Sequence, residues 1–185
     1  MSPRKEKYQK GFTLIELIVS ITVFITVMTI AMGAIFSVFN SNAKSKNMKT
    51  ALANLNVALE SMSREIRFGS VYHCGPYTYP NILTPQDCPA GDSRFTFISS
   101  DGTTITYRQN SQAVDKNVNG GGPVRVTGPE ITIQSLTFYT LGSSQADTLQ
   151  PKTVIIVRGT VGTGSAKAVT SFAMQTLVSQ RVIDR

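Results

Sequence analysis

Glu16 is the only charged residue in a run of 28 from Phe12 to Phe39, FTLIELIVSITVFITVMTIAMGAIFSVF. A carboxylate set in apolar surroundings is costly unless a cation pairs with it, so it is a functional-site candidate by default. The alternative is that it lies at a headgroup boundary and reaches water. A second candidate is Cys74 with Cys88, the only two cysteines. A disulfide closing that loop is the reading adopted; two free thiols or a metal pair are the alternatives. With His73 as the sole imidazole, a zinc site lacks ligands. The remaining candidates are weak. His73 stands beside a cysteine already assigned to a disulfide, which leaves no Cys/His dyad. Residues 162–167, GTGSAK, lack the spacing of a phosphate loop and read as a strand connection. Asp87, Asp92 and Asp101 fall in loops without calcium-loop spacing. Tyr72, Tyr77 and Tyr79 cluster near the cysteine loop as a packed or partner-facing patch. No catalytic residue, metal or cofactor is expected.

The elements that hold these residues follow from where charge and apolarity fall. At 185 residues the chain is one domain with room for an appendage, and a 41% hydrophobic content excludes a disordered chain. The net charge of +7 is unevenly spread. Residues 1–11 carry +3, 12–39 carry −1, 40–69 carry +3 and 70–185 carry +2. Most of the excess therefore brackets the apolar run, which is a membrane distribution rather than a basic face for nucleic acid. The charge distribution weighs against nucleic acid as a partner.

About 20 apolar residues span a bilayer as a helix, so 12–39 is long enough. Its Ser and Thr residues at 20, 22, 26, 29 and 37 can bond to the helix's own carbonyls. A buried core helix is the alternative. No Pro or Gly interrupts residues 40–68, and Gly69 is a natural stop. Met48, Leu52, Leu55, Leu59, Met62 and Ile66 recur at spacings of four and three, an apolar stripe on which a β-rich head can pack.

The start of the run departs from a secretory signal: its apolar part is too long and no small-x-small site follows it. The string at residues 10–24, KGFTLIELIVSITVF, resembles the class III signal of type IV pilins and pseudopilins. The resemblance implies cleavage by prepilin peptidase between Gly11 and Phe12, followed by N-methylation of Phe12. It also implies that Glu16 pairs with the new α-amino group of a neighbouring subunit and fixes the stagger between them. Partners implied are other pilin or pseudopilin subunits, prepilin peptidase, an inner-membrane assembly platform and the lipid bilayer.

The head begins at residue 70. Residues 71–90 hold four prolines and both cysteines and read as a linker. Strands are expected at 94–99 and 103–107 around a Ser-Asp-Gly turn, at 131–139, at 153–161 and from 170. The third shifts phase near Gln134 and Ser135, which predicts a bulge. Residues 120–123 and 142–151 read as loops. The expected fold is α+β: a long N-terminal helix, transmembrane half plus amphipathic half, packed on one antiparallel sheet of about five to seven strands, as in the pilin fold. A stem ending SREIR at 63–67 and a final LVSQR at 177–181 resemble J-type minor pseudopilins and W-type minor pilins. The domain reading is a leader at 1–11, a transmembrane and assembly helix at 12–39, a stem at 40–69 and a head at 70–185. A disulfide requires an oxidising compartment, which puts the head outside the cytoplasm and the N-terminus inside. The expected function is a filament subunit, minor pilin or pseudopilin. A pilus-tip binding module, adhesin or DNA receptor, is the alternative, and a signal-anchored periplasmic enzyme a weaker one.

Overall fold

The computed structural model describes residues 11–144, 149–162 and 169–181. Residues 1–10 of the expected leader, 145–148 of the expected loop at 142–151, 163–168 of the GTGSAK connection and 182–185 lie outside the described residues. A single helix, α1, spans Leu14–Arg67 and is shared by two compact units that divide after Ser45.

In the first unit the apolar span Leu14–Asn42 is 29 residues long, and none of its most apolar window is buried by the rest of the chain. Ser20, Thr22, Thr26 and Thr29 each donate their hydroxyl to the carbonyl four residues back at 2.7–2.8 Å. These side chains therefore need no outside partner, and the surface left on offer is apolar.

The second unit is built on the later part of α1. Leu55, Leu59, Met62 and Ile66 are buried there, while Met48 and Leu52 are half-buried. The stripe that is apolar in the sequence is thus the face that packs. Nine strands follow: β1 (Ser70–Cys74), β2 (Cys88–Asp92), β3 (Arg94–Ile98), β4 (Thr104–Asn110), β5 (Ala113–Val118), β6 (Val124–Arg125), β7 (Ile131–Leu141), β8 (Lys152–Val161) and β9 (Thr170–Ser179). They form two antiparallel sheets, ordered β1-β3-β4-β5-β6 and β2-β7-β8-β9. This corrects the expectation of one sheet. The supposed linker at 71–90 supplies β1 and β2, one to each sheet. Neither strand alternates in the usual way, and Pro89 and Gly91 hide β2 from any propensity argument.

Phe95, Phe97, Phe138, Tyr72 and Tyr107 fill the core between the sheets and the stem. Phe95 links Tyr72 edge-on at 5.2 Å to Phe138 stacked at 5.4 Å, so aromatic contact runs from one sheet into the other. Gly69 ends the stem for a packing reason: a Cβ there would lie 2.4 Å from the Phe97 ring.

The expected bulge is present in β7, where pairing with β8 shifts between Ile133 and Ser135. Both Ile133 and Leu136 can then face the core. The backbone groups freed by the bulge are met from the other sheet. Gln109 of β4 donates its side-chain amide to the Gln134 carbonyl at 3.2 Å and accepts from the Leu136 N–H at 2.9 Å.

The end of the stem is fastened by polar contacts. The Tyr72 hydroxyl donates to the Ile66 carbonyl at 2.6 Å, the Gly69 N–H to the same oxygen at 3.0 Å, and the Arg181 N–H to the Arg67 carbonyl at 2.8 Å. A helix leaves its last carbonyls without partners, and here the head provides them. In the same turn Glu65 accepts from the Tyr107 hydroxyl at 2.8 Å and pairs with Lys116 at 2.7 Å.

Burial, reinforced by the Glu65 hydrogen bond and charge, pushes the Tyr107 hydroxyl well above its ordinary pKa of 10.0. A raised folded-state pKa gives stability that is whole below the unfolded value and fades as pH rises through it. The head should therefore lose stability from about pH 10 upward. In Tyr107→Phe that alkaline loss should flatten, which unfolding midpoints measured across pH would show. Gln109→Ala should lower unfolding stability by about 1–3 kcal/mol by orphaning the bulge's backbone groups, read from denaturant midpoints.

Candidate processing and assembly site

Gly11, Phe12 and Thr13 precede α1 without regular structure, and Phe12 is 82% exposed. Thr13 caps the helix. Its Oγ1 accepts from the Glu16 N–H at 3.4 Å, and its hydroxyl donates to Glu16 Oε2 at 3.5 Å. The Leu17 N–H meets the Thr13 carbonyl at 3.2 Å, opening the regular ladder. Thr13-Leu-Ile-Glu16 has the spacing of a capping box, with the acid at the third helical position. The sequence analysis overlooked Thr13, although that spacing is a recognised start signal.

The cap gives Glu16 a job within its own chain. A carboxylate in the first turn also sits favourably in the field of the exposed N–H groups there. One hydrogen bond from a threonine leaves most of its acceptor capacity open, since an ionised carboxylate offers about four lone-pair sites. The geometry is that of an acid held in place at the helix start, beside an exposed Gly11–Phe12 peptide, with acceptor capacity to spare.

Cys74 and Cys88 lie in the second unit and form a disulfide, with Cα atoms 5.6 Å apart. Cys74 belongs to the five-stranded sheet and Cys88 to the four-stranded one, so the bond staples the two sheets. Gln86 stitches the intervening loop: its N–H donates to the Tyr72 carbonyl at 2.9 Å and its own carbonyl accepts from the Cys74 N–H at 3.0 Å.

The other candidates are occupied with structure. His73 is buried, with Nδ1 2.8 Å from the Thr84 carbonyl and Nε2 3.2 Å from the Pro76 carbonyl. Asp87 accepts from the N–H groups of Gly142 and Ser143 at 3.0 and 2.9 Å, and from the Ser143 hydroxyl. Asp92 accepts from the Arg94 N–H at 2.9 Å, and Asp101 from the Thr103 N–H and hydroxyl at 3.0 and 2.8 Å. Asp92 and Asp101 each close a local turn, and Asp87 ties the segment before β2 to the residues after β7. Among the described residues no three His, Cys, Asp or Glu side chains gather as metal ligands. The tyrosine cluster divides: Tyr72 is core, while Tyr77 and Tyr79 line a surface recess.

The fold is thus α+β, a long helix with an uncovered apolar start and a two-sheet antiparallel head, consistent with the pilin fold. The family described as the prokaryotic N-terminal methylation motif matches residues 7–32. The match supports a type IV pilin-like filament subunit, membrane-anchored and processed by prepilin peptidase, and points to a structural part rather than an enzyme. No curated protein and no solved structure matches the chain.

Replacing both cysteines by serine should lower the head's unfolding free energy by about 3 kcal/mol, the chain-entropy value for a loop of this length. Denaturant midpoints of the double variant against the parent measure it; an unchanged midpoint would remove the staple from the account of stability.

Proposed function

We infer that the protein is a minor pilin or pseudopilin, stored in the inner membrane and then assembled into a pilus, type II secretion pseudopilus or competence pseudopilus. The observation that carries this reading is the apolar span Leu14–Asn42, whose most apolar window is unburied, with Glu16 in its first turn inside the methylation motif. Residues 1–11 are the leader, 12–39 the membrane and assembly helix, 40–69 the stem and 70–185 the head. Prepilin peptidase cuts after Gly11 and Phe12 is methylated. An inner-membrane platform then moves the helix from lipid into a bundle of like helices.

In that bundle Glu16 of one subunit pairs with the α-amino group of Phe12 of its neighbour. The pair forms in a low-dielectric setting, where an unpaired charge costs several kcal/mol. That penalty makes the contact a register: only one axial stagger satisfies both charges. The disulfide favours a head outside the cytoplasm and an N-terminus inside. Within the class, the chain is read as a J-type minor pseudopilin or W-type minor pilin, on SREIR at the stem's end, the Asp101-Gly102 turn, Leu136-Thr-Phe138 and the closing LVSQR.

Mass spectrometry of the protein from cells with active prepilin peptidase should show an N-terminus at methylated Phe12; an intact Met1 end would overturn the reading. Glu16→Gln keeps a side chain that can serve the cap but removes the charge. It should insert in the membrane and fail to enter filaments. Thr13→Ala, which loses the cap and keeps the acid, should still assemble. Normal filament incorporation of Glu16→Gln would sink the pairing role.

A further inference from the structure

The outer face of the five-stranded sheet carries two arginines that form no ion pair among the described residues. Arg94 of β3 and Arg108 of β4 are directly opposite each other in the antiparallel register. Such pairs have Cβ atoms about 5 Å apart, and like charges placed so are destabilising. The acids around them are engaged elsewhere. Asp115 of β5 is opposite Arg108 but takes its hydrogen bond from Asn110 at 2.6 Å. Asp92 is bound to the backbone N–H of Arg94. Among the described residues the one ion pair is Lys116 with Glu65, below the sheet's other face.

The Arg94 guanidinium makes one long contact, 3.4 Å to the Tyr77 carbonyl. Arg108 Nε is buried and has no hydrogen-bond partner among the described residues. Burying a guanidinium N–H unsatisfied costs free energy that a native site ordinarily recovers from an acceptor. Both arginines line a recess of about 200 Å³, together with Tyr77, Tyr79, Thr106 and Asn117. Its wall is set by packing: a Cβ on Gly120 would come within 2.9 Å of the Tyr79 ring, so the ring rests on bare backbone.

We propose that this recess binds an oxyanion, the carboxylate or sulfate group of an external ligand, held between the forks of Arg94 and Arg108. A guanidinium presents paired N–H donors that match a carboxylate or sulfate edge. One anion relieves the repulsion of the facing arginines and supplies the acceptors they lack. Threonine, asparagine and tyrosine around them offer neutral donors for the ligand's remaining oxygens. The site lies wholly in the head, on residues the filament reading does not use.

The test is calorimetric titration of the full-length chain in lipid nanodiscs at constant ionic strength, with sodium D-glucuronate, sodium sulfate and neutral glucose as probes. Saturable binding of glucuronate or of sulfate, with none of glucose, is expected; which of the two binds tells a carboxylate source from a sulfate source. Arg94→Gln and Arg108→Gln should each weaken that binding at least tenfold, the loss of a charge-assisted hydrogen bond. Without anion, Arg108→Gln should melt at or above the parent's temperature, because the like-charge pair is gone. Arg108→Lys, which keeps the charge without the fork, should lose affinity too and serves if a Gln variant fails to fold. No heat with either anion in the parent, equal binding of glucose, or unchanged affinity in the variants would each overturn the proposal.

Discussion

An apolar helix surface that its own chain does not cover is the constraint on which the rest of the molecule turns. Leu14–Asn42 presents phenylalanine, isoleucine, valine and methionine side chains, most of them about half or more exposed. At about 25 cal/mol for each Å² of apolar surface, covering such a span with lipid or other helices gains free energy that its own chain does not supply. The span is long and apolar enough to lie in lipid, and the methylation motif fits a membrane-anchored pilin. Ser20, Thr22, Thr26 and Thr29 close their hydroxyls onto their own backbone, which lowers polar demand along that surface. Glu16 is the one group that cannot be silenced this way. Its cap contacts with Thr13, at 3.4 and 3.5 Å, orient the carboxylate and leave it able to accept a cation.

The later half of α1 meets the opposite demand, because it is an element of a water-facing head. Its buried face is one stripe, Leu55, Leu59, Met62 and Ile66, and its terminal carbonyls are capped by Tyr72, Gly69 and Arg181. Arg181 comes from just past the last strand and Tyr72 from the first, so both ends of the head's fold close on the helix terminus. Glu65, Tyr107 and Lys116 add a half-buried polar link to the five-stranded sheet.

How much of this was legible in the sequence depended on the kind of signal. The helix was legible along its whole length, because apolar runs and heptad-like spacing report burial through a fixed period. Strands β3, β4, β7, β8 and β9 were legible through alternation or β-branched runs, and the β7 bulge through its phase slip. Strands β1, β2, β5 and β6 were not. Cys88-Pro-Ala-Gly-Asp92 lacks strand preference, and its pairing with β7 is flanked by the disulfide and by the bonds of Asp87 to Gly142 and Ser143. With those strands missed, two sheets were read as one.

The proposed processing and assembly residues, Gly11, Phe12 and Glu16, rest on a contiguous motif, because local spacing carries that signal. What the sequence determined by itself is what a local pattern can hold: an uncharged span with one acid, a cap at Thr13 and a stem with one apolar face. What only the tertiary structure decided involves residues far apart in the chain. It paired Cys74 with Cys88 across two sheets, set Gln109 into the bulge, joined Glu65 to Tyr107 and Lys116, and placed Arg94 opposite Arg108. Strand register makes these contacts, and register is a property of the packed sheets that no single segment contains.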